Sequence, residues 1–211
     1  MAGASAPSWG LRFKGKNLKL ASLAIPFVAA LLLELGGCSP QESPTSATVA
    51  KPAQPYEAVA AQATGFTVGA MMSAQTVYVL FDPQCPHCGH LWEASQPLHN
   101  KAKFVWVPVS IMNAKSGPQG AALLSAPNPA ELMAEHEKSI LAGTGGIAAS
   151  ASMTPELTLA LKKNTALFNS LGVDSVPYIL ARNSRTAQVV TYNGAMTTPA
   201  LAEFLGIAPP P

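Results

Sequence analysis

The feature that most constrains this chain is a short apolar run that delivers two cysteines to the start of a helix. Val77-Tyr78-Val79-Leu80-Phe81 is β-branched or aromatic almost throughout, and Asp82-Pro83-Gln84 ends it. Cys85-Pro86-His87-Cys88 follows at once. A near-continuous apolar run of this length predicts a strand buried on both faces, at the centre of a sheet. Cys88, Leu91, Trp92 and Ser95 then recur at helical spacing, with Pro86 in the first turn, where a missing N–H costs nothing. Pro97 marks the end of that helix or a kink in it. Two cysteines two residues apart, where a strand feeds a helix, read as a redox dithiol.

The chemistry follows from that placement. A thiolate attacks a disulfide to form a mixed disulfide, and a second thiol resolves it. Cys85, at the helix N-terminus, faces unpaired N–H groups and the positive end of the helix dipole, which stabilise its thiolate. His87 adds to this as a cation or donor. The thiol of Cys85, the nucleophile, is expected below a pKa of about 7 and as low as about 4. Cys88, one turn inward, is expected to be buried, less acidic and the resolving thiol. A structural disulfide between them would close a loop too short to restrain much chain entropy. A c-type haem site needs His directly after the second Cys, and Gly89 is there. A metal site from Cys85, Cys88 and His87 or His90 stays open as a minor alternative, as in copper chaperones, but no second Cys pair completes a zinc site. His90, His99 and His136 read as surface or half-buried polar residues, Trp92 and Trp106 as core, and Glu131, Glu135 and Lys138 as a solvated helix face.

The rest of the chain supplies a frame. Gly65–Gly69 reads as a short strand and Phe104-Val105-Trp106-Val107-Pro108-Val109 as a longer apolar one. Strand, dithiol helix and strand in about 30 residues make a βαβ unit with a parallel pair. Residues 113–127 read as loop or short helix. Asn128-Pro129-Ala130-Glu131 and Thr154-Pro155-Glu156 are helix starts with a capping residue and Pro at the first position. Gly143 and Gly172 stop those two helices. Val176-Pro177 enters a strand at Tyr178–Ala181, Asn183-Ser184 turns it into a second at residues 187–192, and a last helix runs from Thr198 to Leu205.

The N-terminus is of another kind. Residues 1–19 hold Arg12, Lys14, Lys16 and Lys19 and no acid, and residues 20–33 are apolar, too short a run for a comfortable membrane span. Leu35-Gly36-Gly37-Cys38 resembles the bacterial lipobox. That resemblance implies cleavage before Cys38, lipid on Cys38, and, with Ser39 rather than Asp following, the outer membrane in preference to the inner; Glu34 departs from the pattern. It also accounts for the odd thiol among three cysteines. Residues 1–37 are thus expected to be a lipoprotein signal peptide. Residues 38–63, with Pro40, Pro44, Pro52 and Pro55 and no apolar periodicity, are expected to be a flexible tether. Residues 64–208 form the domain and 209–211 a tail. Of thirteen basic and eleven acidic residues, removing residues 1–37 leaves nine and ten, so the mature chain is about neutral and nucleic acid is not an expected partner.

The order strand, Cys-x-x-Cys helix, strand, helical insert over about 113–172, then Val-Pro entering a β-hairpin and a final helix matches an α/β thioredoxin fold. Phe81-Asp82-Pro83-Gln84-Cys85-Pro86-His87-Cys88, Asn128-Pro129-Ala130, Asn164-Thr165-Ala166-Leu167 and Leu171-Gly172-Val173 before Val176-Pro177 resemble the catalytic domain of bacterial periplasmic disulfide isomerases of the DsbC/DsbG type, over roughly residues 65–207. The Pro-His pair between the cysteines resembles instead the oxidising DsbA family. The resemblance implies a cis Pro177 beside the dithiol, with Val176 presenting backbone groups to a substrate strand. It implies a protein thiol:disulfide oxidoreductase of the periplasm, of isomerase or oxidase type, with disulfide-bearing protein substrates, an inner-membrane redox partner and no cofactor. Those isomerases carry an N-terminal dimerisation domain; the tether here is too short for one, so a monomer is expected. Thioredoxins carry a buried acid six residues before the first Cys, where this chain has Val79. The alternative is a dedicated reductant or copper-binding maturation factor that uses the same dithiol.

Overall fold

The structure, a computed structural model, describes residues 52–149 and 151–210. Cys38, the signal peptide and most of the expected tether lie outside the described residues.

Among the described residues five strands form one sheet: β1 (Phe66–Gly69), β2 (Thr76–Phe81), β3 (Lys103–Pro108), β4 (Tyr178–Arg182) and β5 (Val189–Asn193), in the order β1-β3-β2-β4-β5. The apolar run before the dithiol is β2, the central strand. It pairs parallel with β3 and antiparallel with β4. Successive side chains on a strand point to opposite faces. Val79, Leu80 and Phe81 are all buried, so both faces of β2 are covered at its C-terminal end.

Among the described residues six helices cover the sheet: α1 (Pro55–Gln62), α2 (Pro86–Ser95), α3 (Ser116–Ser125), α4 (Pro129–Leu141), α5 (Pro155–Ser170) and α6 (Thr198–Leu205). Helix α2 packs on α4 and α6, while α5 packs on α1, α3 and β3. The Pro97 break appears as a single 3-10 turn, Gln96–Leu98. Trp92 and Trp106 are core residues, as expected, and meet edge to face at 5.3 Å. None of the described helices is long and apolar enough to cross a membrane.

One stretch departs from expectation. Residues 55–62 of the expected flexible tether are helix α1. Its sequence shows no amphipathic stripe because a single side chain, Val59, is buried. The rest of its anchoring is polar and aromatic. Tyr56 packs edge-on against Tyr78 at 5.3 Å, Arg182 lies over the Tyr56 ring, and Arg182 also pairs with Glu57. Those partners lie on β2 and β4, so no local pattern announces the helix.

Asn164 ties the insert to the sheet. It is fully buried in α5, donates to the carbonyls of Thr64 (2.7 Å) and Pro108 (3.0 Å), and accepts from the N–H of Thr64 (2.9 Å).

Candidate redox site

The strand-to-helix turn places the dithiol. The Cys85 N–H bonds the Asp82 carbonyl at 3.0 Å, and the Gln84 N–H bonds Asp82 Oδ1 at 2.9 Å. Cys85 is the N-cap of α2, extended at φ −98°, and Pro86 takes the first helical position. Cys88 therefore sits one turn in, wholly buried, while Cys85 is 4% exposed and Pro86 and His87 face solvent. Both thiols are free.

The two sulfurs have opposite electrostatics. The Cys85 thiol is lowered to about 6, first by a hydrogen bond from the Cys88 thiol, then by the backbone N–H groups of Cys88 and His87, and last by the charge of His87; burial opposes these. Cys88 is pushed well up by burial, by sharing its hydrogen with Cys85, and by the charges of Cys85 and Glu137. The asymmetry read from the sequence is present. Its largest cause is Cys88, and His87 is the smallest contributor.

Across from Cys85 lies the bond Val176–Pro177, which is cis. The Cys85 Sγ–H points to the Val176 carbonyl at 3.5 Å, and the Gly194 N–H holds the Pro177 carbonyl at 2.8 Å. Val176 and Pro177 are thus brought to the dithiol, from 91 residues away in sequence. His90 is exposed beside His87, with ring centres 6.5 Å apart, and borders an open groove with Glu93, Ala94, Met196 and Thr198. No group of three or more His, Cys, Asp or Glu among the described residues is placed to hold a metal ion.

Three residues that sequence reasoning passed over surround the turn. Asp82, expected at the strand end, is fully buried. Its carboxylate accepts from the N–H groups of Gln84, Ile111 (2.8 Å) and Met112 (3.0 Å) and from the Ser116 hydroxyl (2.7 Å). It pins the segment after β3 to the dithiol turn. His136, expected at or near the surface, is also fully buried. Its Nδ1 accepts from the Ile147 N–H at 3.2 Å, so Nε2 is the donor to the Pro83 carbonyl at 2.7 Å. Burial lowers its pKa, which fits this neutral tautomer. Gln84 and Gln119 extend the same clasp to the Gly145 carbonyl.

The third is Glu137, 1% exposed, with neither carboxyl oxygen hydrogen-bonded. Burial, and then the charges of Cys85, Asp82 and Glu93, push it up to about 9. The signal was present in the sequence. Glu137 lies four residues after Met133 and three before Ile140, on the buried stripe of α4, whereas Glu131, Glu135 and Lys138 are exposed as expected. Val79, where thioredoxins have their acid, is buried among apolar neighbours on β2.

No protein-family profile matches the chain. Over 134 residues it is 29% identical to the thiol:disulfide interchange protein DsbG of Pseudomonas aeruginosa, covering 63% of this chain and 51% of that one. Over 118 residues it is 27% identical to DsbG of Escherichia coli, covering 54% and 47%. The chain thus spans about half the length of the curated relatives it matches. Among solved structures, the catalytic domain of Proteus mirabilis ScsC superposes with a TM-score of 0.57 at 14% identity, covering 72% of this chain and 92% of that one. A periplasmic thioredoxin-like protein from Salmonella enterica serovar Typhimurium gives 0.57 at 15% identity, covering 72% and 94%. By fold, then, the described domain is thioredoxin-like, and by sequence the chain is similar to thiol:disulfide interchange proteins over 134 of its residues.

Proposed function

We propose that this chain is a thiol:disulfide oxidoreductase of the bacterial cell envelope, exchanging disulfides with exported proteins through Cys85 and Cys88. The observation that carries the reading is the pairing of an acidified, N-capping Cys85 with a buried, high-pKa Cys88, opposite the Val176–Pro177 turn. An attacking thiol works best with a pKa near ambient pH, and a resolving thiol is held in reserve by being protonated. Similarity to DsbG supports exchange with protein thiols and disulfides as the chemistry.

In this reading Cys85 is the nucleophile and Cys88 resolves. Pro86 shapes the helix start, and His87 trims the Cys85 pKa. Val176 and Pro177 present backbone to an extended substrate segment. The Val176 carbonyl, 3.5 Å from Cys85 Sγ and accepting from it only while that thiol is protonated, is open to a substrate N–H once Cys85 forms the mixed disulfide. Cys38 carries the lipid and residues 39–54 hold the domain off the outer membrane. The protein acts as a monomer in the periplasm, and an inner-membrane redox partner resets the dithiol. Which partner that is decides between isomerisation and oxidation.

The test is the equilibrium of Cys85/Cys88 with glutathione, together with mixed disulfides captured by Cys88→Ala in cells. A potential near about −120 mV places the protein with oxidases, one near about −180 mV with isomerases, and one near about −270 mV with reductants. A Cys88→Ala protein that captures no exported proteins overturns the assignment of substrate.

A further inference from the structure

The dithiol chemistry needs a proton to reach or leave Cys88 inside a sealed interior. Cys88 is wholly buried, and its thiolate is strongly disfavoured there. When the Cys85–Cys88 bond is broken by attack at Cys85, Cys88 departs as an anion unless something protonates it. The imidazoles near the site do not serve. His87 and His90 are exposed, and His136 holds both ring nitrogens in hydrogen bonds to Pro83 and Ile147. Asp82 is occupied by four donors.

Among the described residues Glu137 is the remaining buried acid. It reaches the first turn of α2 from α4: a Cβ placed on Gly89, the residue after Cys88, would meet Glu137 Oε2 at 2.9 Å and Leu141 Cγ at 3.0 Å. A glycine at that position lets the carboxyl approach the helix backbone. The approach brings no hydrogen bond, since both oxygens are unpartnered. An unsatisfied buried carboxyl costs stability and is retained where it has another use. The charged groups that act on it, Cys85 and Glu93 from α2 and its cap and Asp82 from the end of β2, are all acidic and favour its protonated form. Glu137 is coupled to both thiols, since the charge of Cys85 acts on it and it acts on Cys88.

We infer that Glu137 is the group that exchanges a proton with Cys88 whenever the Cys85–Cys88 bond opens or closes. This rests on the thiol:disulfide reading above and assigns a step within it. A substrate thiolate attacks Cys85 Sγ and forms an S–S bond to it. The Cys85–Cys88 bond breaks, its electron pair goes to Cys88 Sγ, and the Glu137 proton moves to that sulfur, leaving a carboxylate. A second substrate thiolate attacks the substrate sulfur of the mixed disulfide, forms the substrate disulfide and expels Cys85 as thiolate. That new negative charge favours protonation of Glu137, which takes a proton from solvent. In total two substrate thiols become one disulfide, the protein gains two electrons and one proton, and one proton is released. In the opposite direction Cys88 gives its proton to the Glu137 carboxylate as it attacks Cys85.

The test mixes the reduced full chain with the aromatic disulfide 5,5′-dithiobis(2-nitrobenzoate) and follows release of thionitrobenzoate. Attack by Cys85 gives the first phase and attack by Cys88 the second. In Glu137→Gln the first phase keeps its rate and pH midpoint, while the second slows about a hundredfold; Glu137→Asp recovers part of it. Equal second phases in wild type and Glu137→Gln, from about pH 5 to about pH 9, overturn the inference. If Glu137→Gln does not fold, infrared spectra of the wild type decide. A protonated-carboxyl band that shifts when the Cys85–Cys88 bond forms supports the assignment, and a spectrum without one overturns it. A wild type that releases one thionitrobenzoate per chain instead of two refutes the exchange chemistry itself, a failure distinct from that of Glu137.

Discussion

Asp82 and Glu137 are buried carboxyls on either side of the dithiol turn, and Asp82 accepts four hydrogen bonds where Glu137 accepts none. The two acids therefore do different work. Asp82 is a structural knot between β2, the dithiol turn and the start of α3. Removing it leaves the N–H groups of Ile111 and Met112 and the Ser116 hydroxyl without their acceptor. Asp82→Ala is expected to destabilise the domain by about 3 kcal/mol or more, since hydrogen bonds to charged groups contribute about 1.5–3 kcal/mol each and the stranded donors add a penalty. Urea denaturation measures it, and a loss under about 1 kcal/mol would show that the segment 111–116 is held by other contacts.

The causes of the low Cys85 pKa rank in a testable order. The midpoint of Cys85 alkylation by iodoacetamide against pH is expected at about 6. Cys88→Ala removes the leading cause, the hydrogen bond from the Cys88 thiol, and moves the midpoint up. His87→Ala removes the last-ranked one and moves it up by less. Cys88→Ser retains a donor and falls between wild type and Cys88→Ala. A larger shift for His87→Ala than for Cys88→Ala would reverse the account of how this site is tuned.

Much of this was legible in the chain. The run Val77–Phe81 read as a central strand because both of its faces are apolar, and it is one. Cys85 at a helix start with Pro86 behind it gave the asymmetry of the thiols. Val176 and Pro177 came from resemblance, since nothing local in the sequence brings a bond 91 residues away to Cys85. Asp82 was invisible as a knot because three of its four donors lie 29 to 34 residues further on. His136 and Glu137 were masked by their neighbours. They sit among exposed charges in α4, and only the stripe Met133–Ile140 shows that their side points inward.

Gly89 offers a prediction against propensity. Alanine is favoured over glycine inside a helix by about 1 kcal/mol. Here its Cβ would press on Glu137 Oε2 at 2.9 Å and Leu141 Cγ at 3.0 Å, across the α2–α4 contact. Gly89→Ala is therefore expected to lower the melting temperature. In a Glu137→Ala background the carboxyl is gone and the penalty shrinks, so a double-mutant cycle should show coupling between the two positions. Additive effects would mean that the helices separate independently of Glu137.

The dithiol and Glu137 also leave opposed signatures in stability against pH. In the reduced protein Cys85 titrates at about 6 when folded and at about 8.5 when unfolded. Between those values the unfolded chain holds a proton that the folded one lacks, so stability rises with pH by about 1.4 kcal/mol per unit. Glu137 titrates at about 9 when folded and about 4.3 when unfolded, so the folded chain holds the extra proton and stability falls with pH by the same amount. Glu137 is almost fully buried and keeps its full slope, whereas Cys85 sits at the start of α2 beside the exposed Pro86 and His87, so solvent takes part of its contribution. His136 and His99, whose pKa values are lowered, add a rising slope that is at half strength near about pH 6.5 and gone by about pH 7.5, and Cys88, whose pKa is raised, adds a falling one that grows from about pH 7.5 to about pH 8.5. From about pH 6.5 to about pH 8.5 the wild type should therefore be nearly flat, one slope cancelling the other. Glu137→Gln removes the main falling slope and leaves the rising one, so the reduced variant should gain about 1–2 kcal/mol across that window. Oxidation removes the rising slope instead, and the oxidised wild type should lose stability with pH. Chemical denaturation of the three species at several pH values distinguishes these traces: a reduced wild type that rises as steeply as reduced Glu137→Gln would mean that the carboxyl is ionised in the folded protein at neutral pH, and a flat trace for reduced Glu137→Gln would mean that Cys85 is not acidified.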